Sequence, residues 1–230
     1  MTTREIVLDT ETTGLDPATG DRIVEIGCVE LFNSIPTGES FHRYIDPERD
    51  VPAEAFKVHG LSREFLTGKP KFAEVVDEFI AFIGEARLII HNAEFDMKFI
   101  NAELRRAERP ILTFDRVVDT LPMARRKHPG SPNSLDALCT RYGIDNSRRT
   151  KHGALLDAEI LSEVYLELTG GRQSALALAA QTTRKIELVA VDLMVARPIA
   201  LPSLIAAEEL DAHAKMVETL GEKSLWNQYR

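Results

Sequence analysis

The stretch Val7–Pro17, VLDTETTGLDP, runs from an apolar segment into a Gly-Leu-Asp-Pro turn, yet places Asp9 and Glu11 where apolar residues belong. Side chains alternate across a strand, so Asp9 and Glu11 share one face with Val7 while Ile6 and Leu8 share the other. Two carboxylates on one face of a half-buried strand repel each other unless a cation lies between them. A strand that opens the chain and carries such a pair fixes where the rest must converge.

Outward from it, residues 4–9, 22–32 and 40–46 are predicted strands, with NSIPTGES (33–40) as the hairpin turn cluster between the second and third. Residues 71–83 space Phe72, Val75, Val76, Phe79, Ile80 and Ile83 as an amphipathic helix. RLIIH (87–91) reads as a short buried strand, followed by a helix over 94–107 and a fifth strand at VVDT, 117–120. Helices follow near 133–142 and 153–169, the second stopped by Gly170 and Gly171. Strands first, then strand–helix alternation, predict an α/β fold with a mixed sheet and helices on its faces.

The chain has 230 residues, 44% hydrophobic and 28% charged, which suits one domain of ordinary size plus an appendage. No apolar run reaches the ~18 residues of a membrane helix, and no basic-then-apolar signal segment precedes the first strand. Cys28 and Cys139 lie far apart in apolar contexts and read as reduced thiols. The expectation is a cytoplasmic protein with no membrane partner. A net charge of −8 argues against a broad basic surface gripping duplex DNA. It leaves room for an enzyme that holds a short stretch of nucleic acid through metals. Residues 171–230 carry seven acidic and seven basic residues, so the acidity belongs to residues 1–170.

Two later segments share the oddity of the first. In HNAEFDMKFI, Asp96 borders the stripe that contains Phe99 and Ile100. In KHGALLDAEILSEVY, Asp157 falls on the apolar stripe of Ala154, Ala158, Leu161, Val164 and Tyr165, with His152 five residues earlier on the loop feeding the helix. Taken singly, Asp9 reads as a turn residue, Asp157 as a helix N-terminal charge, and His152 as a capping histidine. Together, four carboxylates directed into a core cost several kcal/mol each unless they are paired. Two divalent cations would balance them. An all-oxygen donor set favours Mg²⁺ or Mn²⁺ over zinc, and two such ions form the clamp used in phosphodiester cleavage.

In this order the motifs resemble those of the DEDDh family of 3′→5′ exonucleases, and within it the proofreading subunits of bacterial replicative polymerases. The matching residues are Asp9-Thr10-Glu11, then Asn92 with Phe95-Asp96, then His152-Gly153 with Asp157. The resemblance covers residues 4–170 and implies a ribonuclease H-like fold with a five-stranded mixed sheet. It implies that Asp9, Glu11 and Asp157 bind a first metal, that Asp9 bridges to a second, and that Asp96 completes the site. His152 would be the general base, a role that suits an imidazole. Substrate contacts would come from Thr10, Gly14, Leu15, His59, His91, Asn92 and Phe95, although Phe95 reads equally well as core. The basic clusters Arg125-Arg126-Lys127 and Arg148-Arg149-Lys151 either follow the strand backbone or are ordinary surface charge.

Past the nuclease domain (1–170), a linker over 171–202 is expected, small-residue-rich at first and apolar further on, with Pro198 and Pro202 near its end. Residues 186–202 fit either an extended or a partly helical conformation. Within it QSALAL (173–178) resembles a sliding-clamp-binding peptide, with Gln173, Leu176 and Leu178 as its anchors. The tail, 203–230, reads as a helix over 203–220 with Leu210, Ala214 and Val217 on one stripe, then Leu225 and Trp226. By resemblance this tail holds the polymerase catalytic (alpha) subunit, and a lone Trp suits such an anchor. The expected function is proofreading at a single-stranded or frayed 3′ end of DNA, releasing 5′-mononucleotides. A stand-alone RNA or single-strand exonuclease and a non-catalytic adaptor between clamp and polymerase are the alternatives.

Overall fold

The computed structural model describes residues 3–149, 151–170 and 205–220. The chain divides into two units, residues 1–180 and 181–230. The first is built on a five-stranded sheet, in spatial order β3-β2-β1-β4-β5. Its strands are β1 (Arg4–Thr12), β2 (Ile23–Phe32), β3 (Ile35–Tyr44), β4 (Arg87–Ile90) and β5 (Val117–Asp119). β1 is central, antiparallel to β2 and parallel to β4; β3 and β5 close the two edges. The sheet is therefore mixed, as expected.

The alternation along β1 separates two cores. Ile6 and Leu8 pack with Phe72, Val75, Val76, Phe79 and Ile83 of α3 (Phe72–Ile83) and with Met97, Phe99, Ile100 and Leu104 of α4 (Ala93–Arg106). Val7, on the opposite face, packs with Ala124 of α5 (Thr120–Lys127), Leu138 and Cys139 of α6 (Leu135–Tyr142), and Ala158, Leu161 and Val164 of α7 (Ala154–Leu168). The result is helix, sheet, helix. Tyr165 Oη of α7 donates to Glu5 Oε1 at 2.9 Å and joins the last described helix of this unit to its first described strand.

Three corrections follow. The hairpin turn is only Asn33-Ser34, both at positive φ (52° and 64°), the pairing of a tight primed turn. Ile35 to Ser40 already belong to β3, and Pro36 is tolerated there because β3 is an edge strand. β1 continues to Thr12 instead of ending at Asp9, and β3 ends at Tyr44 rather than residue 46. Finally, the sequence pattern assigns no element to α1 (Ala53–His59), α2 (Arg63–Leu66) or α5 beyond its first residue. Each spans eight residues or fewer, too short for periodicity to show, and α5 carries Pro122 in its first turn, where proline is harmless.

In the second unit the described helix is α8 (Ala207–Thr219), shorter than the expected 203–220. Of its expected stripe, Val217 is buried while Leu210 and Ala214 are exposed. The linker, its peptide residues Gln173, Leu176 and Leu178, and Leu225 and Trp226 lie outside the described residues. Among the described residues no helix is long and apolar enough to cross a membrane. Cys28 and Cys139 are both free and buried.

Candidate active site

The site forms where β1 ends. Because β4 runs parallel to β1, the helix that follows it, α4, starts at the carboxyl end of β1, the usual place for a ligand in an open α/β sheet. Asp96 in the first turn of α4 is thereby delivered to Thr10, whose backbone N–H and hydroxyl both donate to Asp96 Oδ1, at 3.0 and 2.7 Å. The start of α4 is itself held by Asp119, whose carboxylate accepts from the backbone N–H groups of Asn92 and Ala93 at 3.0 and 3.1 Å. Asn92 sits in the left-handed region at φ 66° to make that turn.

Asp157 arrives from the other face. Gly27 on β2 pairs with Asp9 across the ladder. A Cβ at Gly27 would come 2.2 Å from both Ala154 C and Leu155 N, so only glycine lets the first turn of α7 lie on the sheet beside Asp9. Glu11, His152 and Asp157 then bring one ligand atom each within 4.8 Å of one another. His152 is further tied by its backbone N–H to Val58 O of α1, at 3.2 Å.

These groups press on each other. Asp9, which keeps a partly exposed face toward the cleft, has its pKa raised well above the ordinary carboxylate value by burial and by the charges of Asp96, Glu11 and Asp157. Burial, then Asp157 and Glu25, push Glu11 up to about 8. Burial takes Asp96 to about 7 despite the opposing Thr10 hydrogen bonds. Asp157 is the exception: burial would raise it, but His152 and Arg149 beside it hold it below the ordinary value. Three carboxyls that resist ionisation are what a hard divalent cation would relieve, and His152 is a nitrogen donor beside them. The donor set fits such an ion.

A cleft of about 510 Å³ opens above the cluster. Thr10, Gly14, Leu15, His59, His91, Asn92 and Phe95 all line it, together with Asp9, Glu11, Asp96 and His152. They are not equivalent. Thr10 is committed to Asp96. Gly14 leaves room for the Asp21 carboxylate, which a Cβ would meet at 2.3 Å. Leu15 is 79% exposed at the rim. Phe95 packs on Phe99 at 5.0 Å between ring centres, so it serves the core and the cleft wall at once. His91 has both ring nitrogens occupied, by Thr120 Oγ1 at 2.9 Å and Asn133 O at 3.0 Å. His59 differs: its Nδ1 accepts from Leu61 N–H at 3.0 Å, so Nε2 carries the proton. That N–H is buried, and the backbone of Thr12 beside it favours the proton.

Sequence reasoning missed Arg149, Asp119, Gly27 and Glu25. Arg149 was read as either following the strand backbone or ordinary surface charge, yet its side chain is only 6% exposed and forks onto Asp157 through Nε and Nη2, at 2.5 and 2.7 Å. Arg148 and Lys151 do lie outward, Arg148 3.5 Å from Glu159 and Lys151 over the Phe56 ring. Glu25 was hidden inside an apolar strand; it faces Glu11 across the ladder and bonds His42 Nε2 at 2.7 Å. Only Glu25, a carboxylate in a run of apolar residues, left a sequence signal of the kind that revealed Asp9.

A family model described as exonuclease matches residues 6–165. The DNA polymerase III subunit epsilon of Rickettsia felis is 58% identical over 175 residues, 75% of this chain and 76% of that protein. The subunit of the same name from Escherichia coli K12 is 48% identical over 236 residues, 97% of each chain. In three dimensions the nuclease domain of 3′hExo, described as a DEDDh family member and solved with rAMP, superposes with a TM-score of 0.63. That match covers 73% of this chain and 92% of the other at 17% identity, and so speaks to the fold alone.

Proposed function

This chain belongs to the exonuclease family as one of the DNA polymerase III epsilon subunits, a metal-dependent 3′→5′ proofreading exonuclease, and we propose how its residues divide that work. Asp9, Glu11 and Asp157 would hold one divalent cation, and Asp9 with Asp96 would hold a second; the oxygen donors suit Mg²⁺ or Mn²⁺. When bound, they polarise the scissile phosphate and make a water acidic enough to attack at neutral pH. His152 takes the proton of that water, and the cleavage releases a 5′-mononucleotide. His59, Leu15, Asn92 and Phe95 bound the space for the base and sugar of the terminal nucleotide. The observation that carries this reading is the convergence of Asp9, Glu11, Asp96 and His152 on one cleft, with a carboxylate oxygen of Asp157 within 4.8 Å of ligand atoms of Glu11 and His152.

The substrate is the single-stranded or frayed 3′ end of DNA, because a mispaired terminus leaves its duplex more cheaply than a paired one. Residues 1–170 form the catalytic part, 171–202 a linker whose Gln173, Leu176 and Leu178 dock on the sliding clamp, and 203–230 a tail that binds the polymerase catalytic subunit through Leu225 and Trp226. The protein works in the cytoplasm. The test is mononucleotide release from a 3′-mismatched primer with Mg²⁺ or Mn²⁺, comparing the parent chain with Asp9→Ala. The variant is expected to lose at least ~1,000-fold in rate, since uncoordinated cations supply little of the clamp. Equal rates would overturn the assignment of Asp9, and no release by either protein would favour the adaptor.

A further inference from the structure

Arg149 stands on the loop before α7 with its guanidinium inside the carboxylate cluster. Nε and Nη2 take the two oxygens of Asp157, at 2.5 and 2.7 Å. Nη2 also lies 2.7 Å from His152 Nδ1. A guanidinium can only donate, so toward Arg149 the Nδ1 atom offers its lone pair; the same nitrogen lies 3.3 Å from Asp157 Oδ2. Nη1 is anchored 2.6 Å from Asp136 Oδ1 on α6. A single side chain thus covers both oxygens of one metal ligand and the lone pair of the base.

Charge decides whether this arrangement survives metal binding. Against Asp9, Glu11, Asp96 and Asp157 the guanidinium offsets one negative charge. Two divalent cations offset all four, so a guanidinium left in place would add a repelling charge at short range. We propose that Arg149 is a resident lock on the metal-free site, and that a cation can take Asp157 only as Arg149 leaves it, swinging outward on its Asp136 anchor. The same movement uncovers His152 Nδ1. Metal ligation and base activation are therefore one event, governed by a residue that ligates nothing. This inference rests on the carboxylates being the metal site.

Calorimetric titration with Mn²⁺, together with melting temperatures without metal, tests the lock on the full chain. Arg149→Gln should melt lower without metal, because Asp157 has lost its counter-ion, and should bind Mn²⁺ about tenfold more tightly, the equivalent of one charge-assisted hydrogen bond no longer broken. Arg149→Lys keeps the charge without the fork and should bind Mn²⁺ more tightly than the parent but less so than Arg149→Gln; it also serves if Arg149→Gln does not fold. Mn²⁺ affinity equal to or weaker than the parent's in either variant overturns the lock while leaving the metal site intact. Absence of Mn²⁺ binding to parent and variants alike overturns the metal site and the lock with it.

Discussion

Thr10 gives both of its donors to Asp96, and its position in the motif does not announce this, since the two residues are 86 apart in sequence. Asp9, Glu11, Asp96 and Asp157 were legible because each is a carboxylate at an apolar position. Thr10 was named only as a substrate contact, and neither its bond to Asp96 nor the role of Arg149 was legible, because a threonine in a strand and an arginine in a basic cluster look ordinary until their partners are known. Burial raises Asp96 and the Thr10 hydrogen bonds lower it, so Thr10→Val should lift it above about 7. A ligand must lose its proton to bind metal, and the variant's Mn²⁺ affinity should fall by about tenfold, more at pH 6.5 than at pH 8. Affinities equal to the parent's at both pH values would show that the hydroxyl is dispensable.

The elements that build the site are the long ones, and they were read with small errors at their ends. What periodicity could not reveal is the contact between them. The approach of α7 to β2 depends on Gly27, which as a glycine in a strand signals only that something comes near. Gly27→Ala should push the first turn of α7 away from β2 and carry Asp157 from Asp9 and Glu11. Overpacking of this kind costs roughly 1–3 kcal/mol of stability. A displacement near 1 Å should lower the exonuclease rate by about 100-fold, more than partial unfolding explains. Denaturant melts beside rates separate the two; a rate that falls only as far as the folded fraction would refute the positional role. The short α1 escaped the sequence reading for want of length, yet it supplies His59 and the wall against which His152 is tied.

For the molecule as a whole, the sheet class and its flanking helices were legible from one run of strands followed by alternation. The expectation that residues 203–230 bind a partner rests on motifs alone. Stability should carry the signature of the crowded carboxylates. Glu11 has an ordinary pKa of 4.5 and is raised to about 8 in the fold. Between those values the native state keeps a proton that the unfolded chain has released, so this group makes the metal-free protein less stable as pH rises from 4.5 to 8. Glu11→Gln removes that contribution. Without metal, melting temperatures of the parent should fall more steeply than those of Glu11→Gln between pH 5 and pH 8, and saturating Mn²⁺ should flatten the difference. Parallel curves without metal would mean that Glu11 ionises freely.

The hydrogen bond from Tyr165 to Glu5 ties the end of the catalytic unit to its beginning. Asp9 and Glu11 leave the ribosome first, and His152 and Asp157 follow more than a hundred residues later. At ordinary rates of translation that interval is roughly ten to thirty seconds. Throughout it the central strand waits for the helix that covers one of its faces, and such distant pairings are slow to close. No nascent fragment short of α7 holds all five of Asp9, Glu11, Asp96, His152 and Asp157, so on the proposed division of work the chain becomes a nuclease only once its synthesis has passed that helix.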